Sequence, residues 1–210
     1  MNYNEISEAV QKGKAKIVKE LVQAAIDSGA SPGDILNKGM LEAMDIVGEK
    51  FKNNEVYVPE MLVAARAMNA GMELLKPHLV DAGVEPIGKV AIGTVKGDLH
   101  DIGKNLVRMM LEGKGMEVID LGVDVPAEKF YEACIEHDIS VVACSALLTT
   151  TMVEMKNVVD LFIEKGIRDK VTIMVGGAPI TESFCKQIGA DIYASDAATA
   201  ADLAKAVLTK

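Results

Sequence analysis

The sequence predicts an all-α helical bundle followed by a doubly wound α/β domain built on a parallel sheet. Three observations carry this expectation. Up to about residue 80, apolar residues recur only at helical spacing. Residues 81–88 (DAGVEPIG) hold two glycines and a proline, the composition of a linker. From residue 89 onward, short apolar runs alternate five times with amphipathic stretches, the pattern of successive βα units. The expected organisation is a bundle over 1–80, a linker over 81–88 and a sheet domain over 89–210.

Within the bundle, Ile17, Leu21 and Ala25 fall on one helical face. Ser31-Pro32-Gly33-Asp34 is a helix start, with Ser31 as cap and Pro32 at the first helical position. The helix after it lines up Leu36, Met40, Ala43, Met44, Val47 and Phe51. Lys52-Asn53-Asn54-Glu55 reads as a polar turn, and Val58-Pro59-Glu60 opens the next helix. Met61, Ala65, Met68, Met72 and Leu75 then form a seam of the kind buried in bundles, which Pro77 is expected to end or kink. In the second domain the expected strands are Lys89–Ile92, Glu117–Asp120, Val141–Cys144, Thr172–Val175 and Asp191–Tyr193. The expected helices lie near 101–113, 127–137, 151–165, 181–188 and 197–208. Right-handed crossovers place such helices on both faces of the sheet. Ligands of doubly wound sheets bind beyond the carboxyl ends of the strands, so the loops after each strand are where function is sought.

Composition narrows the function classes. Half of the 210 residues are hydrophobic, enough for packed cores. A net charge of −9 argues against nucleic acid and anionic membrane as partners. No apolar stretch approaches the ~20 residues of a membrane span. The opening MNYNEISEAV lacks a basic region followed by an apolar run, so no secretory signal is expected. Cys134, Cys144 and Cys185 lack zinc-ligand spacing, and their odd number argues against a disulfide framework. A cytoplasmic location is the simplest expectation. The 12 methionines suit core filling, or a surface that re-packs against several partners.

The loop after the first strand reads Gly93-Thr94-Val95-Lys96-Gly97-Asp98-Leu99-His100-Asp101-Ile102-Gly103. Asp98 is close enough to His100 to accept a hydrogen bond from Nδ1–H, leaving Nε2 as a lone-pair donor. That suits a metal ligand or a general base, and equally a plain helix-start hydrogen bond. Gly97 and Gly103 flank the pair, so backbone can approach a large flat ligand. Ser145 is a candidate cap for the helix after it, and Gly176-Gly177 a candidate turn. His78 and His137 read as surface or capping residues, and Glu60 as a first-turn carboxylate favoured by the helix dipole.

Asp98-x-His100-x-x-Gly103, directly after the first strand of such a domain, resembles the Asp-x-His-x-x-Gly motif of corrinoid (cobalamin)-binding proteins. Ser145-Ala146-Leu147-Leu148-Thr149 resembles that family's Ser-x-Leu segment, and Gly176-Gly177 its paired glycines. GDLHDIGKN at 97–105 and VPEML at 58–62 are similar to the family as well, so the likeness spans nearly the whole chain. It implies a Rossmann/flavodoxin-like sheet domain binding cobalamin or a related corrinoid in the base-off/His-on form. His100 Nε2 would be the lower ligand of cobalt, with Asp98 orienting it. Gly97, Asp101 and Ile102 would contact the cofactor beside them. Gly103, Ser145, Leu147, Gly176 and Gly177 would surround its nucleotide tail, and Thr149 and Thr151 would offer hydroxyls to the tail or to Asp98. Relatives such as cobalamin-dependent methionine synthase have Pro then Ser where this chain has Thr150 then Thr151, which leaves the Thr151–Asp98 partnership open.

Three functions share that sheet domain: a methyl carrier, the small subunit of a carbon-skeleton mutase, and a cobalamin sensor. The helical front end resembles the cap of the carriers, which mutase small subunits generally lack. Regulators usually add a DNA-binding module, for which no room is expected before residue 4 or after residue 208. A (β/α)₈ substrate barrel takes roughly 250 residues, more than this chain has. The resemblance therefore implies a methyl-carrying subunit rather than a complete enzyme. Its partners would be a substrate-specific methyltransferase, an acceptor methyltransferase acting on a thiol carrier or tetrahydrofolate, and a reductive activase. Methylated or quaternary amines are the leading donors, ahead of methanol and aryl methyl ethers.

Overall fold

Asn2 opens the first helix by accepting a hydrogen bond from the backbone N–H of Asn4. The structure is a computed structural model describing residues 2–210, and the chain divides into two compact units. One runs to Pro86 and takes in Gly113–Gly115; the other holds Ile87–Glu112 and Met116–Lys210.

The first unit is helical throughout. Helix α1 (Tyr3–Gln11) buries Ile6, Ala9 and Val10, and α2 (Ala15–Asp27) buries Val18, Val22 and Ala25. Of the expected face of α2, Ala25 is buried, but Val18 and Val22 take the places of Ile17 and Leu21, and Ile17 is 40% exposed. Apolar residues at 17, 18, 21 and 22 make two adjacent stripes, and packing on α5 (Val58–Asp81) selects between them. Gly71 of α5 opens the groove: a Cβ there would lie 2.9 Å from Val18 Cγ1.

Ser31 caps as expected, its Oγ accepting from the N–H of Asp34. Helix α3 (Pro32–Asp34) passes into a π-helical segment, Ile35–Leu41, and then into α4 (Glu42–Lys52). The wider turn puts Ile35 and Met40, five residues apart, in the core, and leaves the expected Leu36 only partly buried. After a turn through Asn54 (φ 59°), Glu60 reaches back to accept from the Tyr57 N–H at 3.0 Å. Met61, Ala65, Met68 and Leu75 form the expected buried seam, with Met72 half-buried. Pro77 does not end the helix. It lacks an N–H to donate, yet α5 continues to Asp81, the first residue of the expected linker, and Leu79 anchors the last turn at 6% exposure.

The second unit carries five parallel strands: β1 (Lys89–Thr94), β2 (Glu117–Asp120), β3 (Val141–Ser145), β4 (Thr172–Gly176) and β5 (Ile192–Ala194). Their order across the sheet is β2-β1-β3-β4-β5. Helices α6 (Ile102–Glu112), α7 (Ala127–His137), α8 (Met152–Glu164), α9 (Glu182–Ile188) and α10 (Ala197–Leu208) fall where the sequence places them. Side chains alternate across the sheet. Ala91, Val142, Cys144, Ile173 and Val175 pack with Phe130 of α7 and Phe162 of α8 on one face. Helices α6 and α10 pack together, and Ala198, Ala201 and Ala204 of α10 are fully buried. Strand order reverses between β1 and β3, so the loops after these two strands lie side by side. Among the described residues, no helix is long and apolar enough to cross a membrane.

Candidate functional site

Register brings the carboxyl ends of four strands into one row. Thr94 pairs with Ser145, Ser145 with Gly176, and Gly176 with Ala194. The chain leaves β1 through Val95, turns at Gly97 (φ 79°), and delivers Asp98 beneath the loop that follows β3. Positive φ is the reason for glycine at 97.

Asp98 is fully buried and ringed by donors. Its Oδ1 accepts from the His100 N–H at 3.1 Å and faces His100 Nδ1 at 2.7 Å. Its Oδ2 accepts from the N–H groups of Leu147 (2.8 Å) and Leu148 (3.1 Å) and from the Thr151 hydroxyl (2.8 Å). Burial by itself pushes the carboxyl upward. The bonds from the His100 ring, Leu147, Thr151 and the His100 backbone outweigh it and hold the group well below the usual carboxylate range. Asp98 is therefore a carboxylate that only accepts, so His100 Nδ1 is the donor between them, and in the neutral ring this leaves the lone pair on Nε2. The His100 side chain is 50% exposed. From below, the buried Thr94 hydroxyl donates to the His100 carbonyl at 2.8 Å.

The partnership left open by Thr151 forms. Its hydroxyl bonds Asp98, and its methyl lies over Gly97, where a Cβ would sit 3.5 Å away. Thr149 is exposed and contributes no hydroxyl to Asp98, whose second oxygen is filled by residues 147, 148 and 151. Ser145 does not cap α8; Thr151 occupies that position. Asp101 is exposed and accepts from Asn105 Nδ2 at the start of α6. Gly103 differs from the paired glycines. A Cβ at Gly103 would meet nothing within 4 Å, whereas one at Gly176 would lie 3.3 Å from the Ala194 carbonyl oxygen. At Gly177 (φ 132°) it would lie 1.9 Å from the Ala146 carbonyl oxygen. His78 is exposed, and His137 ends α7, its carbonyl accepting from Lys89 Nζ.

Leu99, Leu148 and Lys104 were not among the residues that the sequence singles out, whereas Ile102 and Leu147 were. Leu99 (71% exposed) and Ile102 (79%) flank the imidazole and face solvent, and Leu147 and Leu148 add apolar surface from the β3 loop. Leucine between Asp98 and His100 on a polar loop was a readable sign of this surface. Lys104 is 2% exposed and ties α6 to β2 through Asp120 Oδ1 at 2.5 Å. Nothing in its local sequence marks it as buried. Among the described residues, no group of three or more His, Cys, Asp or Glu side chains is placed to hold a bare metal ion.

A family model described as a B12 binding domain matches residues 88–203, and a second of the same description matches residues 3–76. The trimethylamine corrinoid protein of Methanosarcina barkeri is 41% identical over 203 residues, covering 96% of this chain and 94% of that protein. A corrinoid protein of Desulfitobacterium hafniense strain Y51 is 37% identical over 210 residues, covering 99% of this chain and 97% of its own. The solved methanol:cobalamin methyltransferase complex of M. barkeri contains a chain that superposes with a TM-score of 0.88 at 32% identity. The match covers 99% of this chain and 79% of that one.

Proposed function

Because the chain belongs to the B12-binding corrinoid proteins that serve methyltransferase systems, we propose that it carries a methyl group from a substrate-specific methyltransferase to an acceptor methyltransferase. The observation that carries this reading is the Asp98–His100 pair: a buried carboxylate that leaves one half-exposed imidazole with Nε2 as a lone-pair donor. One imidazole suits a metal that brings its other ligands in a macrocycle. The exposed Leu99, Ile102, Leu147 and Leu148 suit the apolar edge of such a ring. The residues present therefore fit a corrinoid bound base-off, with His100 as lower ligand. When bound, that cofactor supplies the cobalt that accepts and releases the methyl group.

The protein's own part is positional. Asp98 holds the His100 tautomer and ring angle, while Thr94 and Thr151 hold the loop and Asp98 in turn. Gly97, Asp101 and Ile102 form the surface beside the imidazole, and Ser145, Leu147, Gly176 and Gly177 border the path of the nucleotide tail. Gly103 belongs with them for a specific reason. Neither its φ nor its packing calls for glycine, so a cofactor can approach its backbone from the exposed side. A methylated amine is the proposed donor, supported by relatives named for trimethylamine and dimethylamine. A thiol carrier or tetrahydrofolate is the proposed acceptor, and a reductive activase the proposed third partner. The three free, buried cysteines suit a cytoplasmic setting.

The test is anaerobic loading with cob(II)alamin and electron paramagnetic resonance. Wild type should display nitrogen coupling from a single imidazole, with the dimethylbenzimidazole displaced. His100→Ala should lose that coupling while keeping much of the affinity that resides in the tail. An unchanged spectrum in the variant means that His100 is not the ligand. Methyl-transfer assays with separate amine, methanol and aryl ether methyltransferases then identify the donor.

Gly103→Leu offers an independent check. The added side chain enters open space, so thermal stability should stay near wild type. Overpacking of about 1–3 kcal/mol against the ligand should weaken cobalamin binding by roughly fivefold or more. Undiminished affinity in a folded Gly103→Leu protein would remove Gly103 from the site.

A further inference from the structure

We propose that Asp124, on the loop between β2 and α7, is a positioning residue for His100. The inference rests on the reading of His100 as the axial ligand and adds the element that sets its loop. Asp124 grips the turn before His100 at two points. Its Oδ1 accepts from the Gly97 N–H at 2.7 Å, and its own N–H donates to the Asp98 carbonyl at 2.9 Å. The neighbouring backbone extends the sheet into the loop: Val125 N–H bonds the Thr94 carbonyl, and Val95 and Val125 form a parallel bridge. The ligand loop is thus held from its β2 side by residues 124 and 125, and from its β3 side by residues 147–151 through Asp98.

The backbone of Asp124 indicates that its side chain is used. Its φ is 55°, in the left-handed region that disfavours side chains. The same loop meets its other left-handed position, φ 86° at Gly122, with glycine. At 124 an aspartate takes the conformation instead and gains the bond to Gly97. That bond fixes the N–H of the one residue whose turn swings the Asp98 carboxylate under Leu147 and Leu148. Asp124 touches neither the imidazole nor the ligand surface in these bonds. It acts on His100 through Gly97 and Asp98.

Two variants separate the side-chain bond from backbone strain. Asp124→Gly removes the acceptor while easing the left-handed φ. Asp124→Asn keeps an acceptor oxygen and a residue type that tolerates that φ. In cofactor-free protein, amide hydrogen exchange of Gly97 and His100 should quicken about fivefold or more in Asp124→Gly, the size expected for one lost hydrogen bond, and much less in Asp124→Asn. In protein loaded with cob(II)alamin, Asp124→Gly should lower the fraction of cobalt displaying imidazole coupling, and Asp124→Asn should restore it. Exchange and coupling in Asp124→Gly equal to wild type overturn the proposal. So does a loss that Asp124→Asn shares in full. Absence of imidazole coupling in wild type would instead count against His100 as ligand, and the exchange data would still decide the role of Asp124.

Discussion

Asp98→Asn should abolish imidazole ligation even though it removes no atom from His100. Five donors converge on the two carboxylate oxygens: Leu147, Leu148 and Thr151 on one, the His100 N–H and ring Nδ1 on the other. An asparagine has one acceptor oxygen, and the three donors of the β3 loop claim it. Its NH₂ then faces His100, and the ring answers by turning Nδ1 into an acceptor and moving its proton to Nε2. The lone pair proposed to bind the metal is lost. Cobalt(II) electron paramagnetic resonance should register no nitrogen coupling, and nitrogen NMR of cofactor-free protein should register the Nε2–H tautomer. An Nδ1–H tautomer in the variant contradicts this account.

The same substitution should cost stability, on the order of 2–4 kcal/mol, because buried donors lose a charged acceptor. The pH dependence has a definite sign. The folded-state carboxyl lies below its unfolded value, so its contribution is fully present above the ordinary Asp range of ~3.9. It is lost as pH falls through the depressed folded value. The gap between wild type and Asp98→Asn in denaturant unfolding should therefore stay constant from pH 7 to about 5 and narrow below about 4.

Gly177→Ala should be among the most damaging single-methyl additions in the chain. The new Cβ would lie 1.9 Å from the Ala146 carbonyl oxygen and 2.9 Å from its carbon, both backbone atoms with no rotamer to change. A φ of 132° adds strain that an L-residue rarely accepts. A loss of about 3 kcal/mol or more is expected, visible as a large fall in Tm. Cobalamin binding should fall with the folded fraction. Gly103→Ala, the same chemical change at an open position, should leave Tm nearly untouched. A Gly177→Ala protein as stable as Gly103→Ala would contradict the geometry.

These two glycines mark where motif reading and structure part. Both stand in segments that resemble the corrinoid-binding proteins, and the resemblance assigns both to the surroundings of the tail, while Gly176-Gly177 also reads as a plain turn. The structure separates them. Gly177 is required by the backbone of the neighbouring strand end, while Gly103 is required by nothing in the chain. The leucines around His100 were legible as residues and illegible as a surface, because exposure depends on what the fold leaves uncovered.

Short-range pattern sets the elements of the sheet domain and the phase of the loop that carries Asp98 and His100. Strands such as Glu117–Asp120 and helices such as Ala127–His137 and Ala197–Leu208 are set by short-range periodicity and by turn residues between them. The Asp98–His100 pair was legible for the same reason, since two residues of separation suffice for its hydrogen bond. What holds that pair depends on how the strands dock. The partners of the second carboxylate oxygen lie 49 to 53 positions along the chain, and they meet Asp98 because β3 docks beside β1 and the strand order reverses there. In the helical unit, periodicity permitted two faces of α2, and the groove at Gly71 chose Val18 and Val22. A π-helical turn buried Ile35 in place of Leu36 while Met40, Ala43, Met44 and Val47 kept the expected face, and packing at Leu79 carried α5 beyond Pro77. In each case local pattern left near-equal alternatives, and contacts distant in sequence supplied the free energy that separated them.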